Sequence, residues 1–453
     1  MAMRRSLPVL DPVALDTREG RSEQAMMMPR GGVRLSRSAD RAVTVGGLVA
    51  SGAFLVAATL ALGLPESVRL GIWLPLHLAL AGGAGTAIAA VMPFFAASLA
   101  AAAPVDQRIR IAAIAGICVG AIGVVLGVST TAPTLAIAGG IAYLAALAGV
   151  AWATFRPLRR GLGPRGGIVA VAYGLALAQL TIGVALGTTR LTGLGSIVAD
   201  WSWLKPAHAW LNVMGFVSLV IAGTSLHLLP IVLGSRIRRQ ASASVMVAAL
   251  AVGPMLVAVG EVVRADMIVG LGIASEVVGA AALAAYAAGC LRDRATWTTD
   301  AGWHRMTAGH LLCAVAWFAV SVIVIASRAL AAGSGPDAGS LAPVAGTLAT
   351  GWIIQAILGA AGHLVPAIGP GDPARHAAQR RRLGTLATSR LVVLQVSVLA
   401  VTVGTAFDLG GPLAVGLIGS AVVVVSTLGL LLLAAATRAI APAPTGGQTV
   451  AGA

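Results

Sequence analysis

Charge is scarce in this chain. Only 10% of its 453 residues are charged and 58% are hydrophobic, whereas a typical soluble domain carries about 25% charged residues. That excludes an ordinary soluble fold and makes the chain a polytopic membrane protein. Lysine is almost missing: 30 of the 31 basic residues are Arg, and with Ala, Gly and Val so abundant the composition is that of a GC-rich bacterial genome. Cysteine is scarce as well. Cys118, Cys290 and Cys313 stand singly in or beside apolar runs, so no disulfide framework and no iron–sulfur or zinc motif is indicated. No phosphate loop, nucleotide fingerprint, HExxH or serine triad is present, and neither is a strict transporter signature. The net charge of +15 does not point to nucleic acid, because the Arg residues lie in connections between apolar spans and not on one soluble face.

Long apolar runs fill what remains. Twelve segments can cross roughly 30 Å of hydrocarbon: about 43–63, 72–99, 109–129, 133–154, 167–189, 207–234, 241–261, 266–290, 306–330, 343–368, 386–407 and 411–437. Residues 1–42, with eight Arg, read as a disordered basic cytoplasmic tail, 43–438 as a single membrane domain, and 439–453 as a flexible tail. Placing the amino terminus in the cytoplasm assigns 26 basic residues to the inner side and leaves five outside: Arg69, Arg190, Lys205, Arg264 and Arg328. The positive-inside rule therefore puts both termini in the cytoplasm, in a bacterial inner membrane. Trp73, Trp201, Trp203 and Trp210 fit an outer aromatic belt. The outer connection 190–206 is the longest and the best candidate for contact with a periplasmic or membrane redox partner. Arg264, Glu261 and Asp266 read as a solvated outer loop.

An internal repeat organises the spans. The phrases AGGAGTAIAAVMPFF, IAGTSLHLLPIVLG and ILGAAGHLVPAIGP carry Pro93, Pro230 and Pro366, which stand 137 and 136 residues apart. They fall in the second, sixth and tenth spans, so the chain divides into three units of four helices (about 43–155, 167–290 and 304–437), with those three spans facing one another around the interior.

Imidazole and carboxyl groups within a bilayer are functional candidates by default. His304 and His376 lie near the inner connections and read as solvated, which leaves five His and one acid. His77 and His208 stand 16 and 22 residues before their prolines, a depth difference of roughly 9 Å at 1.5 Å per residue. A haem bridges that gap more easily than one metal ion does. His227 and His363 each stand three residues before a Pro. They either bind one haem or metal on the inner side, or bond the carbonyl that the Pro frees; the second reading is preferred. His310 could join either arrangement. Glu276 is the one acid in the middle of a span and suits a proton path or a structural hydrogen bond.

Twelve spans, cytoplasmic ends, three four-helix units and the stretch from His208 to H227-L-L-P230 resemble subunit I of the haem–copper oxidases and nitric oxide reductases. The resemblance implies b-type haem, with His77 matching the second-helix ligand. It also marks departures. The seventh span has no His where the family places two copper ligands, the tenth has no His-x-His near its outer end, and Asn212 stands one turn after His208 where a Tyr would be. The chain is thus closer to divergent relatives such as NnrS-like proteins, without a copper centre. The expected function is electron transfer or binding of oxygen or nitric oxide, with His77, His208, His227 and His363 as haem-ligand candidates and His310 added if a metal is bound. The rivals are a metal or small-solute transporter and a cofactor-free assembly subunit.

Overall fold

The structure is a computed structural model and describes residues 32–160, 167–195, 199–236, 240–295, 302–332, 338–368 and 373–437. Among them are twelve helices long and apolar enough to cross a membrane. These are α1 (Gly32–Ala61), α2 (Trp73–Leu99), α3 (Gln107–Ser129), α4 (Pro133–Arg160), α5 (Gly167–Leu191), α6 (Trp201–Leu233), α7 (Gln240–Val263), α8 (Asp266–Arg292), α9 (Trp303–Ala332), α10 (Ala342–Ala367), α11 (Ala387–Ala406) and α12 (Gly410–Ala435). The chain is a multi-pass helical membrane protein. Helix α1 begins at Gly32, inside the segment read as tail; residues 1–31 and the segment 439–453 lie outside the described residues.

Burial separates the helices into a centre and a shell. In α2, α6 and α10, 72%, 78% and 72% of the central stretch is buried, against 33–56% in the other nine. The shell helices turn Val119, Ile141, Val171, Val259, Leu271, Ile323, Val396 and Ile418 outward, the apolar belt that lipid requires. Shell helices adjacent in sequence pack closely through small residues, as lipid-embedded helices do. A Cβ added to Gly139 of α4 would come 2.5 Å from the Val124 nitrogen of α3, one at Gly272 of α8 would come 2.7 Å from the Gly253 carbonyl of α7, and one at Gly416 of α12 would come 2.6 Å from the Ser397 carbonyl of α11.

Each central helix contains a π-helical turn, over Leu78–Ala84, Val213–Ser218 and Leu348–Ile354. Their starts are 135 residues apart in both steps. A π turn widens the ladder to i→i+5 bonding and recurs at functional sites. In α2, two carbonyls of the widened turn gain outside donors: Ser51 Oγ donates to the Gly83 oxygen at 2.8 Å and Tyr143 Oη to the Ala81 oxygen at 3.2 Å. Trp352, in the third π turn, donates its Nε1–H to Ser218 Oγ in the second at 2.9 Å, which ties α10 to α6.

The connection between α10 and α11, read as a loop, contains the helix Pro373–Leu383. Gln379 Nε2 and Arg382 Nη1 from this helix donate to the Ala434 and Leu433 oxygens, at 2.9 and 2.7 Å. These carbonyls end α12, where helical donors run out, and Thr437 shares the task, its N–H donating to the Ala434 oxygen at 3.1 Å and its Oγ1 to the Leu433 oxygen at 3.0 Å.

Candidate functional site

His77 closes the first α-turn of α2 and lies stacked on Trp73, ring centroids 4.1 Å apart. Its Nδ1 is 2.8 Å from the Trp73 oxygen. A carbonyl only accepts, so Nδ1 carries the proton and Nε2 keeps its lone pair.

His208 reaches the same state by another route. Its Nδ1 is 2.8 Å from the Gly183 oxygen of α5, which again places the proton on Nδ1. Asn212 Nδ2 stands 3.2 Å from the same Nδ1, which cannot accept while it donates to Gly183, and gives its shorter bond to the His208 carbonyl, at 2.6 Å. Glycine makes this fit possible: a Cβ at Gly187 would come 2.7 Å from His208 Cε1, and one at Gly183 would come 2.6 Å from Asn212 Nδ2. One turn deeper, Gln179 fills the space over Gly215 and donates to the Ala251 oxygen of α7 at 3.2 Å. The α5 face Gln179–Gly183–Gly187 is thus cut to receive the α6 face Gly215–Asn212–His208.

Neither Nε2 has a hydrogen-bond partner among the described residues. Measured from the π turns, His77 precedes its turn by one residue and His208 by five, so the depth offset shrinks to roughly 6 Å.

His227 and His363 sit differently. Pro230 and Pro366 remove the bonds to the Leu226 and Gly362 carbonyls, four residues back. Tyr286 Oη of α8 donates to the Leu226 oxygen and Trp303 Nε1 of α9 to the Gly362 oxygen, each at 2.6 Å. In α2, Arg110 of α3 donates to the Ala90 oxygen at 2.7 Å, beside the Pro93 break. The freed carbonyls thus belong to other side chains, and the preferred reading of the two His as their donors is replaced. His227 is half-buried with no hydrogen bond to a described residue. His363 lies nearly parallel to Trp303 at 5.8 Å, in a group with His304, edge-on to the same ring at 4.1 Å, and Arg380, 4.8 Å from its centroid. Among the described residues, no hydrogen bond or ring contact joins His227 to His363.

His310 is fully buried in α9, and neither ring nitrogen has a hydrogen-bond partner among the described residues. The same holds for both carboxyl oxygens of Glu276, which lies against α7 at Gly253. No group of three or more His, Cys, Asp or Glu positioned to hold a metal ion occurs among the described residues, so the five His do not gather into one centre. In the outer acid–base cluster Arg264 and Asp266 are exposed as read, Arg264 pairing with Asp200 and lying over Trp203, while Glu261 differs in being buried.

Sequence reasoning missed Tyr286 and Trp303 as donors to the freed carbonyls. The prolines identify which carbonyl is freed, but a donor on another helix carries no local signature. No protein-family model matches the chain, and no curated protein matches it.

Proposed function

We propose that this chain is a divergent membrane protein of the haem–copper oxidase type that binds b-type haem through His77 and His208. It uses the haem for electron transfer or to bind a diatomic gas, oxygen or nitric oxide. One observation carries the reading. Both imidazoles are anchored through Nδ1–H to a backbone carbonyl while Nε2 is left with a free lone pair, as ligating His residues characteristically donate their other ring N–H to a carbonyl or carboxylate. When bound, haem supplies one-electron chemistry and an iron coordination position. The chain's own residues do the positioning: Trp73 fixes one ring by stacking and by its carbonyl, and Gly183 and Asn212 fix the segment that carries the other.

His227, His363 and His310 are reserve ligands for haem or a metal on the opposite half, and Glu276 serves a proton path. A copper centre is not part of the proposal, because α7 has no His and Asn212 occupies the place of a Tyr. The equal spacing of the π turns and the near-equal spacing of the prolines support three four-helix units. Arg placement supports cytoplasmic termini in a bacterial inner membrane, with a redox partner meeting the 190–206 connection.

A pyridine haemochrome assay on protein purified from haem-replete cells tests the reading. The expected result is a b-type spectrum near one haem or more per chain; a colourless protein contradicts it.

A further inference from the structure

Close in sequence to the His pair, but lined by neither imidazole, a half-open cavity of about 400 Å³ lies between α2, α6 and α10. Its wall draws on all three π turns: Leu80 from the first, Val213 from the second, and Leu348, Ala349 and Ile353 from the third. No imidazole lines it, and its surface is overwhelmingly aliphatic. Lys205 stands at the rim with Ser202 and Ser340. Lys205 is the one charged residue in the lining, no acid faces the space, and its ammonium has no ion-pair partner among the described residues. The volume falls within the roughly 300–1,000 Å³ of small-molecule sites.

We propose that this cavity is a binding site for a single-chain amphiphile with a carboxylate head, a long-chain fatty acid. Three observations combine. The interior offers apolar area and almost no hydrogen-bonding group, so it takes a hydrocarbon body. The rim offers one uncompensated cation flanked by two hydroxyls, the chemistry that holds a carboxylate. The wall takes residues from the π turns of all three central helices, and such turns recur at functional sites. A two-chain phospholipid fits less well, because one cavity of this size encloses one chain.

Saturable binding of radiolabelled oleate to the purified protein in detergent, with octadecanol and phosphatidylglycerol as competitors, tests the site. Wild-type protein is expected to bind oleate at one site, octadecanol to compete more weakly, and phosphatidylglycerol not to compete at matched concentration. Lys205→Gln is expected to weaken oleate about fivefold, the scale of one exposed charge pair, and to leave octadecanol unchanged. Ala349→Phe fills the cavity and is expected to abolish both. Ala345→Phe, at a half-buried lining position, supplies the same block should Ala349→Phe fail to fold. Oleate binding that is non-saturable, or undiminished in the folded filling variant, overturns the site. Unchanged affinity in Lys205→Gln, or displacement by phosphatidylglycerol, overturns the carboxylate assignment.

Discussion

At the scale of single residues, the most consequential side chains are buried polar groups serving backbone breaks and buried charge. Arg110 is 2% exposed, forms an ion pair with the buried Asp40, and donates to Thr44 Oγ1 at 3.0 Å and to the Ala90 oxygen. Removing one partner of such a pair costs about 3–5 kcal/mol because it strands the other charge. Arg110→Met is therefore expected to lower thermal stability sharply in detergent, and the Asp40→Asn/Arg110→Met double variant to recover part of that loss; an additive double variant would contradict the pairing. The donors at Pro230 and Pro366 are worth less. Tyr286→Phe is expected to cost about 1 kcal/mol, the range of a buried hydrogen bond in a membrane protein. His227→Ala, which takes no bond from the Leu226 carbonyl, should cost less by the same assay.

At the scale of helices, tight pairing rests on glycine at particular positions. A Cβ at Gly139 meets backbone atoms of α3, which cannot move without separating the helices. Gly139→Ala is expected to destabilise by about 1–3 kcal/mol, as overpacking does. Gly46→Ala, with nothing within 4 Å of the added carbon, should be neutral or gain up to about 1 kcal/mol from helix propensity. A thermal shift comparison of the two variants reads the difference directly.

The helices were also where the sequence was most readable. All twelve spans lie where apolar run length places them, because roughly 30 Å of hydrocarbon demands such runs and tolerates little charge. The central placement of α2, α6 and α10 followed from the Pro93–Pro230–Pro366 spacing. The π turns did not show: LALAGGA, VMGFVS and LATGWII share no residue pattern that separates i→i+5 from i→i+4 bonding. The helix Pro373–Leu383 was missed because its Arg-rich sequence lacks an apolar stripe, and what places it is its bonds to the end of α12. At the candidate site, His77 and His208 could be singled out by type and depth. The Nδ1 partner of His208 could not, since a carbonyl on α5 twenty-five residues away leaves no mark in local sequence.

At the scale of the whole molecule, the account makes a claim about sidedness and a claim about chemistry. In a cysteine-free background, Gly195→Cys is expected to react with a membrane-impermeant maleimide in intact cells, and Ala377→Cys only after the membrane is opened. The reverse pattern would invert the topology, and with it the side on which His77, His208 and Lys205 lie. The chemical claim is the central one, and it concerns which imidazoles hold the haem. The most direct measurement is a reduced-minus-oxidised absorbance spectrum of purified wild-type protein beside His77→Ala, His208→Ala, His227→Ala and His363→Ala, each normalised to folded protein. The account predicts a b-type band in wild type that is lost or strongly shifted in His77→Ala and His208→Ala and kept in the other two. A band that survives both outer changes and disappears with His363 would contradict it and move the haem to the opposite half of the bundle.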